Sequence, residues 1–113
     1  MRAAIAERLD AITRRVKIKK RDVAELLNTT PETVSRWRAG RVEPQPAHRD
    51  LLLQLDWLIS ELSELYTSPG EAHLWLYGRN KLLEGRRPFD VIKEGNLDDV
   101  LRLIAQLKDG AFV

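Results

Sequence analysis

Basic and hydroxyl side chains concentrate between residues 19 and 41, and their types suit hydrogen bonding to nucleic acid. Arg36 could donate a pair of hydrogen bonds to guanine, and Glu32 could accept one from the amino group of cytosine. Lysines and arginines around them could hold phosphates, contacts that orient a protein on DNA without reading its sequence. We therefore predict a DNA contact formed by Lys19, Lys20, Thr30, Glu32, Thr33, Ser35, Arg36, Arg38 and Arg41.

Groups that would support catalysis are scarce. The chain has no cysteine, and its two histidines, His48 and His73, are far apart and lack ligand-like spacing. It has neither a glycine-rich phosphate loop after a strand nor a pair of acids with evident helical spacing toward a cleft. We therefore expect that the protein is not an enzyme and that it binds neither a cofactor nor a metal. We expect each histidine to lie at the surface or to have a packing role.

Charge is divided unevenly along the chain. Residues 1–50 hold 12 Lys and Arg against 7 Asp and Glu, whereas residues 51–113 hold 7 against 10. A basic half followed by an acidic half indicates that any polyanion binds at the N-terminal end. No apolar run approaches the roughly 20 residues needed to span a bilayer, and the first residues lack the apolar stretch of a secretion signal. Together with the absence of cysteine, this favours a cytoplasmic protein without membrane contact.

Apolar residues in the N-terminal part recur every three or four positions, which is the helical period. Thr30 and Pro31 suit the cap and the first position of a helix, and Gly40 suits its end. The pattern predicts three helices, over residues 3–16, 20–27 and 31–39.

The pattern changes after Pro44 and Pro46, two prolines that exclude a helix interior. Leucines spaced alternately by four and three predict one long helix over 47–66, and Ser68 with Glu71 forms a capping-box start. We predict further helical segments over 68–76, 80–83, 88–93 and 96–108, and no strand. In the last helix, capped by Asn96 and ended by Gly110, the residues expected to face inward are Leu97, Val100, Leu101, Ile104 and Leu107.

Residues 23–40 resemble the helix-turn-helix of the Xre/Cro repressor class. Val34 and Trp37 share the inward face of the second helix, so Glu32, Ser35 and Arg36 lie on the opposite face, with Thr33 flanking it. That face is the one a recognition helix offers to a major groove. The alternative is a helical hairpin that only packs, with its arginines solvated.

A second group of residues runs from Trp75 through Asn80, the pair Leu82 and Leu83, Gly85 and Pro88 to a final helix and a glycine. It is similar to the toxin-binding domain of the Xre/MbcA/ParS antitoxin family over about residues 70–113. The helix-turn-helix covers about residues 20–41, and a long helix joins the two parts as in that family. The resemblance implies an antitoxin that binds a RES-domain toxin, an NAD-consuming protein, and blocks its active site. It also implies repression of the antitoxin's own operon.

The resemblance implies that the toxin contacts the C-terminal domain and tail. The candidates are Arg79, Asn80, Lys81, Arg86, Arg87, Asp109, Gly110, Ala111, Phe112 and Val113. Residues 83–87 depart from the family, since they are more charged than the leucine-glycine-glycine form of many members, which bears on the fit to a given toxin.

Each of these candidates also has a structural alternative. Asn80 could cap the next turn, and the charged side chains could be solvated surface. Phe112 and Val113 could be ordered by their own core or by a partner. The large apolar residues of this region are expected in the core rather than at a contact: Trp75, Leu82, Leu83 and Pro88.

The combined prediction is an all-α fold with three parts. An N-terminal helix-turn-helix bundle over 1–46 is joined by a long helix over 47–67 to a small helical toxin-binding domain over 68–113. The predicted partners are a RES-domain toxin and operator DNA. A homodimer or a larger toxin–antitoxin assembly is expected, with the long helix contributing, because paired half-sites mirror a two-fold axis. The alternatives are a stand-alone helix-turn-helix repressor and a structural adaptor that never touches DNA.

Overall fold

The computed structural model describes residues 2–110, with side chains from Ala4 onward, and its regular elements are helices. The all-α prediction is therefore confirmed. The helices are α1 Arg2–Val16, α2 Lys20–Leu26, α3 Pro31–Arg38, α4 Pro46–Leu65, α5 Pro69–Tyr77, α6 Pro88–Lys93 and α7 Leu97–Lys108, with a 3₁₀ turn over Lys81–Leu83. Each predicted helical segment is present within two residues at either end.

Local signals explain where several helices begin and end. The Thr30 hydroxyl accepts a hydrogen bond from the Thr33 N–H at 3.2 Å, and the Ser68 hydroxyl accepts one from the Glu71 N–H at 3.4 Å. Both caps precede a proline at the first helical position, where the missing N–H costs nothing. Gly40 follows α3 with a φ of +76°, a conformation that glycine adopts without strain.

Helix α4 lies at the centre of the fold. Its buried face consists of Leu52, Leu55, Leu58, Ile59 and Leu62, which pack in the core cluster. It packs against α1, α5 and α7, so both halves of the chain use this one face. A single core therefore stabilises the N-terminal and C-terminal helices together.

Polar contacts also join the two halves. The Tyr77 hydroxyl on α5 donates a hydrogen bond to the carboxylate of Asp22 on α2. His73 Nδ1 lies 3.0 Å from the carbonyl oxygen of Val16, and it packs beside the Tyr77 ring with 4.5 Å between ring centroids. These contacts hold α1 and α2 against the C-terminal half.

Three predictions about individual side chains were wrong or incomplete. Leu82 was expected in the core, but 68% of its surface is exposed, because the chain turns at this point and Leu83 packs against the core instead. Leu103 is buried although it was not among the expected inward residues, because α7 packs against α6 as well as α4. Asn96 occupies the N-cap position of α7, but its side chain makes no capping hydrogen bond.

Other expectations about packing were confirmed. Trp37 and Pro88 are buried, and Trp75 and Leu83 are half-buried against the core. His48 packs beside Trp37, with 5.3 Å between ring centroids. No helix within residues 2–110 combines the length and apolarity that a bilayer crossing requires.

Candidate functional site

The outward face of α3 carries the residues predicted to read bases. Glu32, Ser35 and Arg36 are exposed, whereas Val34 and Trp37 on the opposite side are buried. The predicted division of this helix into a packing face and a free face is present in the structure. Three polar side chains of different hydrogen-bonding type are therefore available to a ligand along one helix.

Thr30 and Thr33 differ from those three residues because their hydroxyls are used within the helix cap. The Thr30 hydroxyl accepts from the Thr33 N–H, and the two hydroxyl oxygens lie 2.9 Å apart. The turn between α2 and α3 is thereby closed by its own side chains. The main role of these two hydroxyls is therefore to position α3, and any contact with a ligand would be a second role.

The predicted phosphate contacts fall into two groups. Lys19, Lys20 and Arg41 are exposed and form no ion pair within the part of the chain that the structure describes. Arg38 is different. Its Nε and Nη2 donate to the two carboxylate oxygens of Asp10 on α1, at 2.8 and 3.1 Å. This hydrogen bonding by Arg38 holds the pKa of the Asp10 carboxyl below its usual range.

A cleft of about 220 Å³ lies between α1, α2 and α3. Its apolar walls include Leu9, Val23 and Val34, and its polar residues are Asp10, Thr13, Lys20, Ser35 and Arg38. Three of the predicted DNA contacts thus meet at one cleft with an acid that the sequence analysis did not consider. The acid is separated from its arginine by 28 residues, so no local pattern indicated the pair.

Residues 80–86 form a closed loop that presents the predicted toxin contacts. The Asn80 N–H donates to the Arg86 carbonyl at 3.1 Å, and the Gly85 N–H donates to the Asn80 carbonyl at 2.8 Å. The Asn80 side chain accepts from the Leu82 N–H at 2.9 Å, so it caps the 3₁₀ turn. Glu84 and Gly85 have φ values of +60° and +80°, which reverse the chain. The loop is held by its own hydrogen bonds and projects Leu82 outward.

The arginines around this loop each have a partner within the chain. Arg79 donates to the Gly85 carbonyl at 3.3 Å, and Arg86 pairs with Glu94. Arg87 donates two hydrogen bonds of 2.8 Å to Asp90, a contact that raises the pKa of Arg87. Its guanidinium also lies over the rings of Tyr77 and Phe89, at 5.9 and 5.6 Å from the centroids. Arg87 therefore makes more contacts within the protein than the other candidate arginines do.

Lys81 is exposed and forms no ion pair with a residue that the structure describes. Beside it, a groove of about 460 Å³ separates the loop from α7. Three leucines give this groove apolar surface, and two arginines and two acids give it charge of both signs. These residues are Leu82, Leu83, Leu103, Arg86, Arg102, Glu84 and Asp99. Such a mixture suits a protein contact in which an apolar centre is surrounded by polar groups.

The last candidates lie at the end of α7. Asp109 is the exposed C-cap residue, and Gly110 ends the helix with a φ of +73° and an N–H donated to the Leu107 carbonyl at 3.3 Å. Gly110 thus has the helix-ending role that was predicted for it. Ala111, Phe112 and Val113 lie outside the described residues.

Helix α4 has an outward apolar pair that the sequence analysis did not single out. Leu53 is 39% exposed and Trp57 is 56% exposed. They are four residues apart and therefore lie on one face of the helix, opposite the buried leucines. Their position out of phase with the buried stripe is a signal in the sequence that could have identified them.

Comparisons with known proteins agree with this architecture. No protein-family model matches the chain. The mycobacterial cidal antitoxin MbcA of Mycobacterium tuberculosis is 30% identical over 109 residues, covering 96% of both chains, and MbcA of Mycobacterium bovis matches to the same extent. A probable mycobacterial cidal antitoxin of M. tuberculosis is 35% identical over 92 residues, covering 81% of this chain and 77% of that protein.

A solved structure extends the likeness from sequence to fold. The crystal structure of the M. tuberculosis MbcT–MbcA toxin–antitoxin complex contains a chain that matches with a TM-score of 0.79 and 30% identity, covering 96% of both chains. At this coverage the relationship includes the N-terminal helices, the long helix α4 and the C-terminal helices together. The chain belongs to the MbcA family of antitoxins.

Proposed function

We propose that this chain is the antitoxin of a type II toxin–antitoxin pair and that it neutralises a RES-domain, NAD-consuming toxin by covering the toxin's active site. The observation that carries the proposal is the nearly full-length relationship to MbcA, which has been crystallised with the toxin MbcT. The resemblance of residues 70–113 to a toxin-binding domain supports it independently of the helix-turn-helix. The chain acts by occupying a surface and performs no reaction.

The proposed toxin contact is the closed loop over residues 80–86 together with the end of α7. Leu82 is the apolar anchor of this surface, because a rigid loop that already exposes a leucine loses little conformational freedom on binding. Lys81 and Arg79 supply charge at its edge, and Asp109 and Gly110 lead into the tail residues Ala111, Phe112 and Val113. Arg86, Arg87 and Asn80 fix the shape of the surface through their internal hydrogen bonds.

The proposed DNA contact is the outward face of α3 and the cations that border it. Arg36 and Glu32 read base edges, and Ser35 joins them there. Lys19, Lys20 and Arg41 hold phosphates. The free face of α3 and the exposure of these cations support a helix-turn-helix that binds operator DNA and represses the antitoxin's own operon.

We assign one function to each of three consecutive parts of the chain. Residues 1–46 bind DNA, residues 47–67 connect and dimerise, and residues 68–113 bind the toxin. The exposed pair Leu53 and Trp57 on α4 supports the dimerisation role, because large apolar side chains on an outer helix face favour association. A dimer would pair two helix-turn-helix units with two half-sites of an operator.

The test is co-expression of the chain with the product of the gene beside its own, with growth and cellular NAD as the readouts. The wild-type chain should restore both, a Leu82→Asp variant should fail, and an Arg36→Ala variant should succeed, since it affects only the DNA surface. A neighbouring product that is not toxic, or toxicity that the chain does not relieve, would contradict the proposal. DNA binding without any toxin would instead favour the stand-alone repressor.

A further inference from the structure

The contact between Asp10 and Arg38 has the geometry of an oxyanion bound by a guanidinium. Two nitrogens of Arg38 donate to two oxygens of the Asp10 carboxylate, at 2.8 and 3.1 Å. This paired arrangement is also the one by which arginine binds phosphate. The side chains remain 48% and 51% exposed, so a dissolved or DNA-borne phosphate can approach the same guanidinium.

Two further cations lie near the same carboxylate. Lys20 lines the cleft that Asp10 and Arg38 share. Arg14 follows Asp10 by four residues on α1 and therefore lies on the same face of that helix. Both lower the pKa of the Asp10 carboxyl, in addition to the larger effect of Arg38. Three cations thus surround one carboxylate, which leaves the cluster positively charged.

The Asp10–Arg38 pair contributes little to the stability of the fold, because both side chains are half exposed and water screens their attraction. A free phosphate, or one phosphate in the closely spaced row of negative charges along a DNA backbone, can therefore displace Asp10 at small cost. The Ser35 hydroxyl, in the same cleft, offers a further donor to such a group.

We propose that Arg38, Arg14 and Lys20 form a phosphate-binding site that Asp10 occupies in the free protein. The phosphate of a DNA backbone is the favoured ligand, because the cleft borders the outward face of α3 through Ser35. This assignment of the ligand rests on the proposed DNA-binding function, whereas the site itself rests on the contacts above. Asp10 then lowers the affinity for DNA, since a backbone phosphate must replace its carboxylate.

The test compares an Asp10→Ala variant with an Asp50→Ala control. Asp50 is an exposed acid of α4 with no ion pair to any described residue, so its removal changes the net charge equally. A double variant, Asp10→Ala with Arg38→Ala, tests whether any gain depends on the arginine. Thermal melting of each variant checks that the fold is intact.

Fluorescence anisotropy with duplex DNA from upstream of the gene, at several salt concentrations, is the first readout. Asp10→Ala should bind about five- to tenfold more tightly near 0.1 M salt, and the slope of log affinity against log salt should steepen by about 0.9, as expected for one added phosphate contact. The double variant should show neither the tighter DNA binding nor the steeper salt slope. Asp50→Ala should show a smaller increase in DNA affinity and no change in the slope.

NMR of the arginine Nε–H groups during titration with inorganic phosphate is the second readout. The Arg38 signal should shift in Asp10→Ala at lower phosphate concentration than in the wild type. If Asp10→Ala binds phosphate at Arg38 but no variant binds DNA, the site stands with free phosphate as its ligand and the DNA-binding proposal fails. If Asp10→Ala matches Asp50→Ala in both readouts, the site does not exist.

Discussion

The hydroxyl of Tyr77, near the end of α5, donates a hydrogen bond to the carboxylate of Asp22 in α2. Tyr77 belongs to the C-terminal half, and Asp22 belongs to the N-terminal half, 55 positions earlier. Burial and the neighbouring carboxylate raise the pKa of Tyr77 above its ordinary value. The Tyr77 ring also stacks on Phe89, with 4.9 Å between centroids, so the contact is held by packing as well as by the hydrogen bond.

Replacing Tyr77 by Phe should lower the free energy of unfolding by about 1.5 kcal/mol, because a hydrogen bond to a charged group is lost while the ring is kept. Denaturant unfolding measures the change. Tyr66→Phe is the matched control, since the Tyr66 side chain makes no hydrogen bond to a described residue, and it should change the free energy by less than about 0.5 kcal/mol. Equal effects of the two substitutions would show that the Tyr77–Asp22 contact does not stabilise the fold.

The same contact predicts a pH dependence. The pKa of Tyr77 is higher in the folded chain than in the unfolded chain, where the pKa of tyrosine is about 10. Above that pH the unfolded chain releases the proton first, so stability decreases as the pH rises, by at most about 1.4 kcal/mol per pH unit. Urea unfolding at pH 10 to 11.5 should show a steeper loss for the wild type than for Tyr77→Phe. Parallel curves for the two proteins would refute this assignment.

Leu82→Asp should abolish toxin binding without destabilising the fold, because the side chain is 68% exposed. The expected loss of affinity is at least 100-fold, as for an apolar anchor at the centre of an interface. Calorimetric titration of the toxin measures it. Val42→Asp is the matched control, since Val42 is 50% exposed and lies in the segment between α3 and α4. If Leu82→Asp and Val42→Asp bind the toxin with equal affinity, Leu82 is not part of the interface.

Arg36→Ala and Arg41→Ala should weaken DNA binding in different ways. Loss of Arg36 should reduce discrimination between operator and random DNA by about 1–3 kcal/mol, because a base contact is removed. Loss of Arg41 should weaken binding to both DNAs and reduce the salt slope by about 0.9. Anisotropy with both duplexes separates the two effects. Full sequence preference in Arg36→Ala would disprove its role in reading bases.

Trp57→Lys should convert a dimer into a monomer while leaving the fold intact, because Trp57 is 56% exposed and lies on the outer face of α4. Light scattering at micromolar concentration gives the mass of each form. Leu74→Lys is the control, since it places the same charge at an exposed leucine on α5. A wild-type chain that is already monomeric, or a Trp57→Lys variant that stays dimeric, would exclude this face.

Local chemistry explains why much of the fold could be predicted. Thr30 and Ser68 each cap a helix whose first residue is proline, and such signals need no distant partner. The two neighbouring leucines Leu82 and Leu83 could not be assigned in the same way. Their burial depends on the chain reversal at Glu84 and Gly85, which periodicity does not describe.

In the candidate sites, too, sequence patterns do not reveal contacts that depend on tertiary structure. The outward face of α3 follows from helical spacing, so Glu32, Ser35 and Arg36 were placed correctly on it. The Asp10–Arg38 pair depends on how α1 packs against α3, and only the tertiary structure brings these two residues together. Sequence patterns therefore indicate which faces are free, but not which charges on them are already paired.

The most direct measurement is the rate of NAD consumption by the purified neighbouring gene product as the purified chain is added. The rate should fall to near zero at a fixed molar ratio of chain to toxin, equally for the wild type and for Arg36→Ala, while Leu82→Asp should leave it unchanged. A rate that stays constant in excess wild-type chain, under conditions where the two proteins are folded, would contradict the account.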